Sequence, residues 1–170
     1  MAISMTIFTE GDWIVHRKYG IGQVQKKEKK TISGNREEYY RIKTPNSEIW
    51  LPVNKIDSTS FRPISSPKEI NEALDILKNQ PQQMHPNFVN RKSRIVKVQS
   101  ENSIPAIATL IRDLRGRNAH KALSSTEQTA LRHLTDGFIA EWSVCMKMDN
   151  SNVRAKLNAL LEISKNSLPQ

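Results

Sequence analysis

The sequence predicts an α+β protein, with a small, strongly bent β domain over residues 1–65 and an all-α bundle of about five helices over residues 66–170. Three observations carry this. Seven of the ten aromatic residues lie before residue 65. Apolar residues before that point alternate in short runs bounded by Gly, Asn and Pro, whereas those after it recur every three or four positions. The 170-residue length suits one ordinary domain or two small ones. It excludes large scaffolds such as a (β/α)8 barrel of about 250 residues.

The elements follow in order. Asp12–His16 reads as a strand, and Tyr19–Gly22 as a turn whose glycines allow positive φ or a bulge. Gln23–Lys30 continues as a polar strand. Ser33–Asn35 is a hairpin signal between Thr31-Ile32 and the β-forming run Glu38–Lys43. Pro45–Ser47 makes the next turn. Glu48–Leu51 is a fourth strand ended by Pro52, with a fifth at Phe61-Arg62. Ser66–Glu69 then opens the first helix: Ser as N-cap, Pro at the first helical position and Glu closing a capping box. Ile70, Leu74 and Leu77 mark its buried stripe. Asn79–Pro86 has two prolines and no period, so it is a loop. Asn87 caps a second helix running to about Gln99. Ile104, Ile107, Ala108, Ile111 and Leu114 form one face of a third. Ser124–Glu127 is a second capping box, opening a helix with Leu131, Leu134, Phe138, Trp142 and Cys145 on one side. Asn150 or Ser151 caps the last, with Val153, Leu157, Leu160 and Leu161 in register. No such helix buries its apolar face alone, so the five pack together.

Composition narrows the function. One cysteine closes no intramolecular disulfide and builds no zinc ribbon. Cys145, on an apolar helix face, reads as a small buried hydrophobe. The opening Met1–Phe8 has neither the basic region nor the apolar run of a signal peptide, and no stretch approaches the ~18 apolar residues of a membrane span. A cytoplasmic location is expected. His16, His85, His120 and His133 are scattered, without metal-ligand spacing. Gly20-Ile-Gly22 lacks the third glycine and the helix of a phosphate-binding loop. No catalytic constellation is legible, so an enzyme is the least supported class; no cofactor, metal or small-molecule substrate is expected.

Charge is more informative. With 26 basic and 17 acidic residues the chain carries +9, which favours a polyanionic partner. The excess is shared, +4 over residues 1–66 (11 basic, 7 acidic) and +5 over residues 67–170 (15 and 10). Between Asp75 and Glu101 no acidic residue occurs, while Lys78, Arg91, Lys92, Arg94 and Lys97 all do. Arg91, Arg94 and Lys97 lie near one face of the second helix, and Phe88 sits in its first turn. Such a helix suits DNA: the cations neutralise phosphates, and an exposed ring wedges against base steps. The alternative is that Phe88 packs into the bundle and the cations form a solvated face. Trp50 and Lys30 pose a similar choice. They share an outer, protein-binding sheet face, or Trp50 is core and the lysines protect an edge strand.

Several segments resemble the CarD/CdnL/TRCF family of bacterial RNA polymerase-binding proteins and modules. They are Phe8–His16 with its Gly-Asp pair, Tyr19–Val24, Gly34, Tyr39–Lys43, Leu51–Val53, Phe61–Ile64, Leu110–Leu114 (the family's RDL segment) and Leu123–Gln128 (its LSxxE segment). The resemblance spans residues ~8–164. It implies a Tudor-like β domain that docks on the polymerase β subunit, and a helical domain that holds promoter DNA open at the upstream edge of the transcription bubble. By position it assigns Lys30, Ile32 and Trp50 to the polymerase, and Phe88 to an aromatic wedge with Arg91, Lys92 and Arg94 nearby for phosphates. Lys97 joins them from the charge pattern. A monomer associated with the nucleoid is expected. Three positions depart from the family pattern. The wedge is commonly Trp, and Phe88 lacks its N–H donor. Trp50 stands where a basic residue is frequent, and His16-Arg17 where Tyr-Pro is usual. The runner-up reading is a general nucleic-acid-binding protein, ribosome- or RNA-associated, with an SH3-like barrel.

Overall fold

The computed structural model describes residues 8–55 and 60–167, and the chain divides into two compact units after Ile64. The first is a five-stranded antiparallel sheet consistent with a Tudor-like domain. Its strands are β1 (Trp13–His16), β2 (Gly20–Ile32), β3 (Asn35–Lys43), β4 (Glu48–Pro52) and β5 (Phe61–Pro63). They lie in the order β4-β3-β2-β1-β5, so the chain meanders outward and β5 returns beside β1.

Residues 23–32, read as separate pieces, belong to one 13-residue strand, β2. A bulge between Val24 and Lys26 bends it, which lets so long a strand stay with a small core. The β2–β3 turn is shorter than expected. Ile32 pairs with Asn35, leaving only Ser33 (φ 52°) and Gly34 (φ 84°) as the loop. Positive φ at both positions matches the right-handed twist of the flanking strands. Gly22 is not turn chemistry: it lies inside β2, where a Cβ would fall 2.6 Å from Ile42 Cγ2. The sheet core gathers Phe8, Ile14, Val24, Tyr40, Ile42 and Phe61.

The second unit holds α1 (Pro67–Lys78), α2 (Phe88–Glu101), α3 (Ile104–His120), α4 (Ser125–Met146) and α5 (Asn150–Asn166). Both predicted capping boxes form, at Ser66/Glu69 and Ser124/Glu127. The cap of α5 precedes both expected candidates, Asn150 and Ser151: Asp149 Oδ1 accepts from Ser151 N–H at 2.9 Å. Ile70 and Leu77 from α1, Leu110 and Leu114 from α3, Phe138 from α4 and Leu157 from α5 are all fully buried in one core. Cys145 is only half-buried at its margin; burial, then the nearby Glu141 and Glu69 carboxylates, push its thiol pKa up and keep it protonated. Among the described residues, no helix is long and apolar enough to cross a membrane.

Candidate functional site

On the sheet, register decides which side chains share a face, because directly paired residues point the same way. Glu28 pairs with Tyr39 and Tyr39 with Pro52; Lys26 pairs with Arg41 and Arg41 with Trp50. The even-numbered positions of the β2 arm, Lys30 and Ile32 among them, therefore share a face with Trp50. This is the face opposite the core residues Tyr40 and Ile42. The twist of the arm carries Lys30 Nζ to 3.8 Å from the centroid of the Trp50 ring, a close cation–π contact. Trp50 is half-buried and Ile32 is exposed at the arm's end. Of the two readings of Trp50, the structure brings out the shared outer face.

The second site begins at a helix start. Asn87 Oδ1 accepts the Val89 N–H at 2.8 Å and caps α2, while His85 Nδ1 accepts the Asn87 N–H at 3.0 Å and closes the preceding turn. The first two helical residues then project outward: Phe88 is 38% exposed and Val89 66%. Phe88 is not part of the bundle's core cluster. Farther along, Lys92 and Lys97 are exposed, and among the described residues neither is ion-paired.

Arg91 corrects the expectation of an Arg91–Arg94–Lys97 basic face. It is 6% exposed, because Arg91, Ile95 and Val98 form the i, i+4, i+7 stripe that α2 turns inward. Its Nε donates to Glu127 Oε1 at 2.6 Å, and its Nη1 donates to the carbonyls of His85 (3.0 Å) and Pro86 (2.6 Å). Arg117 Nε from α3 approaches the same Glu127 oxygen at 3.5 Å. Arg94 lies at the margin, one third exposed, with Nη2 donating to Asp113 Oδ2 at 2.6 Å. Asp113, fully buried, also accepts from Arg112 Nε and from the Gln82 N–H, both at 2.9 Å. The charge pattern of α2 itself does not reveal Asp113 and Glu127 as its partners. The available signal was their place in the RDL and LSxxE segments.

Burial alone would raise the Glu127 pKa. Hydrogen bonds from Arg91 and from the Ser124 N–H and hydroxyl outweigh it and hold the carboxyl below its ordinary value of 4.5. It is therefore a fixed anion at neutral pH. Among the described residues, no group of three or more His, Cys, Asp or Glu side chains is placed to hold a metal ion.

The first unit is thus a meandering five-stranded sheet with an aromatic-cation outer face, and the second a bundle with a capped, ring-bearing helix start. Two family models match it. Residues 8–65 match the CarD-like/TRCF RID domain, and residues 72–158 match the CarD C-terminal domain. The chain belongs to the CarD family, a family of transcription factors. It is similar to YdeB of Bacillus subtilis (strain 168), named as a candidate transcription factor. The two are 24% identical over 152 residues, covering 88% of this chain and 99% of YdeB.

Proposed function

We propose that the protein regulates transcription by binding RNA polymerase and promoter DNA at once. The outer sheet face with Lys30, Ile32 and Trp50 docks on the polymerase β subunit. Phe88 enters the minor groove at the upstream edge of the bubble, where Lys92 and Lys97 neutralise phosphates, while Arg94, held by Asp113, is not counted among the phosphate contacts. The melted promoter is thereby held open. Arg91, turned inward, is no phosphate contact in this reading.

The observation that carries the proposal is the exposure of Phe88 on a capped, anchored helix start, on a helix whose Lys92 and Lys97 are ion-paired to no acid among the described residues. Together with the exposed Val89, Phe88 offers an apolar tip that a partner can cover. Phe has no N–H donor, so the contact rests on stacking and unstacking of bases rather than on a hydrogen bond. The test is the lifetime of promoter open complexes formed with the cognate polymerase. The protein should change it on several promoters, and Phe88→Ala should abolish most of the change while polymerase binding persists. Unchanged lifetimes and transcript yields on all promoters overturn the reading. Binding to nucleic acid with steep salt dependence but no polymerase affinity would establish the general nucleic-acid-binding alternative instead.

A further inference from the structure

A ring that must enter DNA sits here in the first turn of a helix, where helices ordinarily fray. The local contacts around it are exposed and weak: the Asn87 cap and the His85–Asn87 turn. What ties this turn to the bundle is Arg91, three residues along the same helix. One edge of its guanidinium donates to Glu127 at the start of α4, and the other holds the carbonyls of His85 and Pro86, immediately upstream of the ring. The guanidinium carbon lies 5.7 Å from the centroid of the Phe88 ring. The planar fork fixes these directions relative to one another, which a lysine ammonium on a flexible stem does not. Glu127 is equally constrained. It is fully buried, its Oε1 receives Arg91, and its Oε2 accepts the Ser124 N–H at 2.9 Å.

A buried ion pair of this kind adds little net stability over an apolar pair of the same shape; its contribution is geometric. We propose that Arg91 and Glu127 are positioning residues that set the direction of Phe88, so that the LSxxE acid, 39 residues away in the chain, orients the ring that meets DNA. The functional half of this inference rests on the DNA role of Phe88; the conformational half does not. Arg117 makes it testable, because with Arg91 gone a second cation still faces Glu127 and the carboxylate is not left bare.

The experiment uses the full chain carrying 4-fluorophenylalanine, observed by fluorine NMR. Its four phenylalanines give four signals, and Phe88→Leu identifies the relevant one. In Arg91→Met, and separately in Glu127→Gln, the Phe88 signal should shift or broaden while that of Phe138, in the core of the same bundle, stays in place. Arg91→Met should also bring open-complex lifetime to within about twofold of the Phe88→Ala level, and should add nothing in a Phe88→Ala background, since residues acting through one another are not additive. A Phe88 signal unmoved in both variants overturns the positioning role. So does an Arg91→Met loss of full size in the Phe88→Ala background, which would mean a direct contact. If Phe88→Ala alone is silent, the wedge reading falls, and the fluorine signals still decide whether the pair sets the ring. If Arg91→Met does not fold, Arg91→Lys and Glu127→Gln carry the same comparison.

Discussion

The salt dependence of DNA binding separates cations that face solvent from those spent inside the bundle. Every phosphate neutralised by a cation releases counterions and adds about 0.9 to the steepness of log K against log salt. By count, the acid-free window offers five cations. In three dimensions Arg91 is held by Glu127 and Arg94 by Asp113, which leaves Lys92 and Lys97 as the solvent-facing cations of α2; Lys78, at the end of α1, forms an exposed pair with Asp75. The Lys92→Gln/Lys97→Gln variant should therefore flatten the slope by about 1.8, so that a fourfold rise in salt costs it about tenfold less affinity than wild type. Arg91→Met should leave the slope unchanged, whatever it does to affinity. Fluorescence anisotropy with a labelled fork-junction promoter fragment, titrated at several potassium chloride concentrations, measures both. A drop of about 0.9 in Arg91→Met would show that the buried guanidinium reaches a phosphate, and would refute the assignment. An unchanged slope in the double lysine variant would remove the α2 lysines from the DNA contact.

Three further outcomes are expected. Trp50→Ala or Lys30→Glu should weaken a pull-down of the polymerase β subunit while the unfolding of the helical unit is unaffected; equal recovery with wild type would remove the outer sheet face from the interface. His16 Nδ1 accepts the N–H groups of Lys18 and Tyr19, both at 3.0 Å, and burial, then Arg17 and Lys18, lower its pKa below 6.5. The neutral ring is thus the folded form, so its contribution is full above pH 6.5 and is lost as pH falls through the depressed value. The unfolding midpoint of wild type should drop more steeply on acidification below that point than that of His16→Gln, and parallel curves would contradict the linkage. Gly116→Ala should destabilise the bundle by about 1–3 kcal/mol in urea unfolding, because the new methyl would fall 2.3 Å from Pro81 Cβ, part of a rigid ring. A neutral result would show that the Pro81 loop yields.

The five helices are legible because caps and periodicity are local signals. Ser66/Glu69 and Ser124/Glu127 are capping boxes whatever the rest of the molecule does. The outward Phe88 was legible only as a choice, since nothing within its own turn says which way the ring points. Arg91 was misplaced because its charge was weighed without its spacing to Ile95 and Val98, which puts it on the inner stripe. The Lys30–Trp50 contact was anticipated as a shared face, but the distance depends on the bulge after Val24 and the twist of the arm. Gly22 was read as a turn glycine because glycine near a turn usually is one; its reason is Ile42, twenty residues away.

The acid-free window has a further consequence. A helix with no acids of its own gets its counter-charges from elsewhere, and here they come from two buried carboxylates one turn apart along α2. Glu127 meets Arg91 and Asp113 meets Arg94, and each acid is approached by a second arginine, Arg117 and Arg112 respectively. Each cluster therefore keeps one surplus positive charge, and the two tie the first half of α2 to α3 and α4. Asp113 also holds the Gln82 N–H, so the loop leading into the helix is fixed by the same acid. Ordering a mobile segment costs binding free energy at the moment of contact, whereas a segment already held spends none on it. Local acids on α2 would have neutralised its outer lysines along with its inner arginines. Remote, buried acids neutralise only the inner ones, so the helix is rigid on one side and cationic on the other. That combination is what the proposed contact of Phe88 with DNA requires.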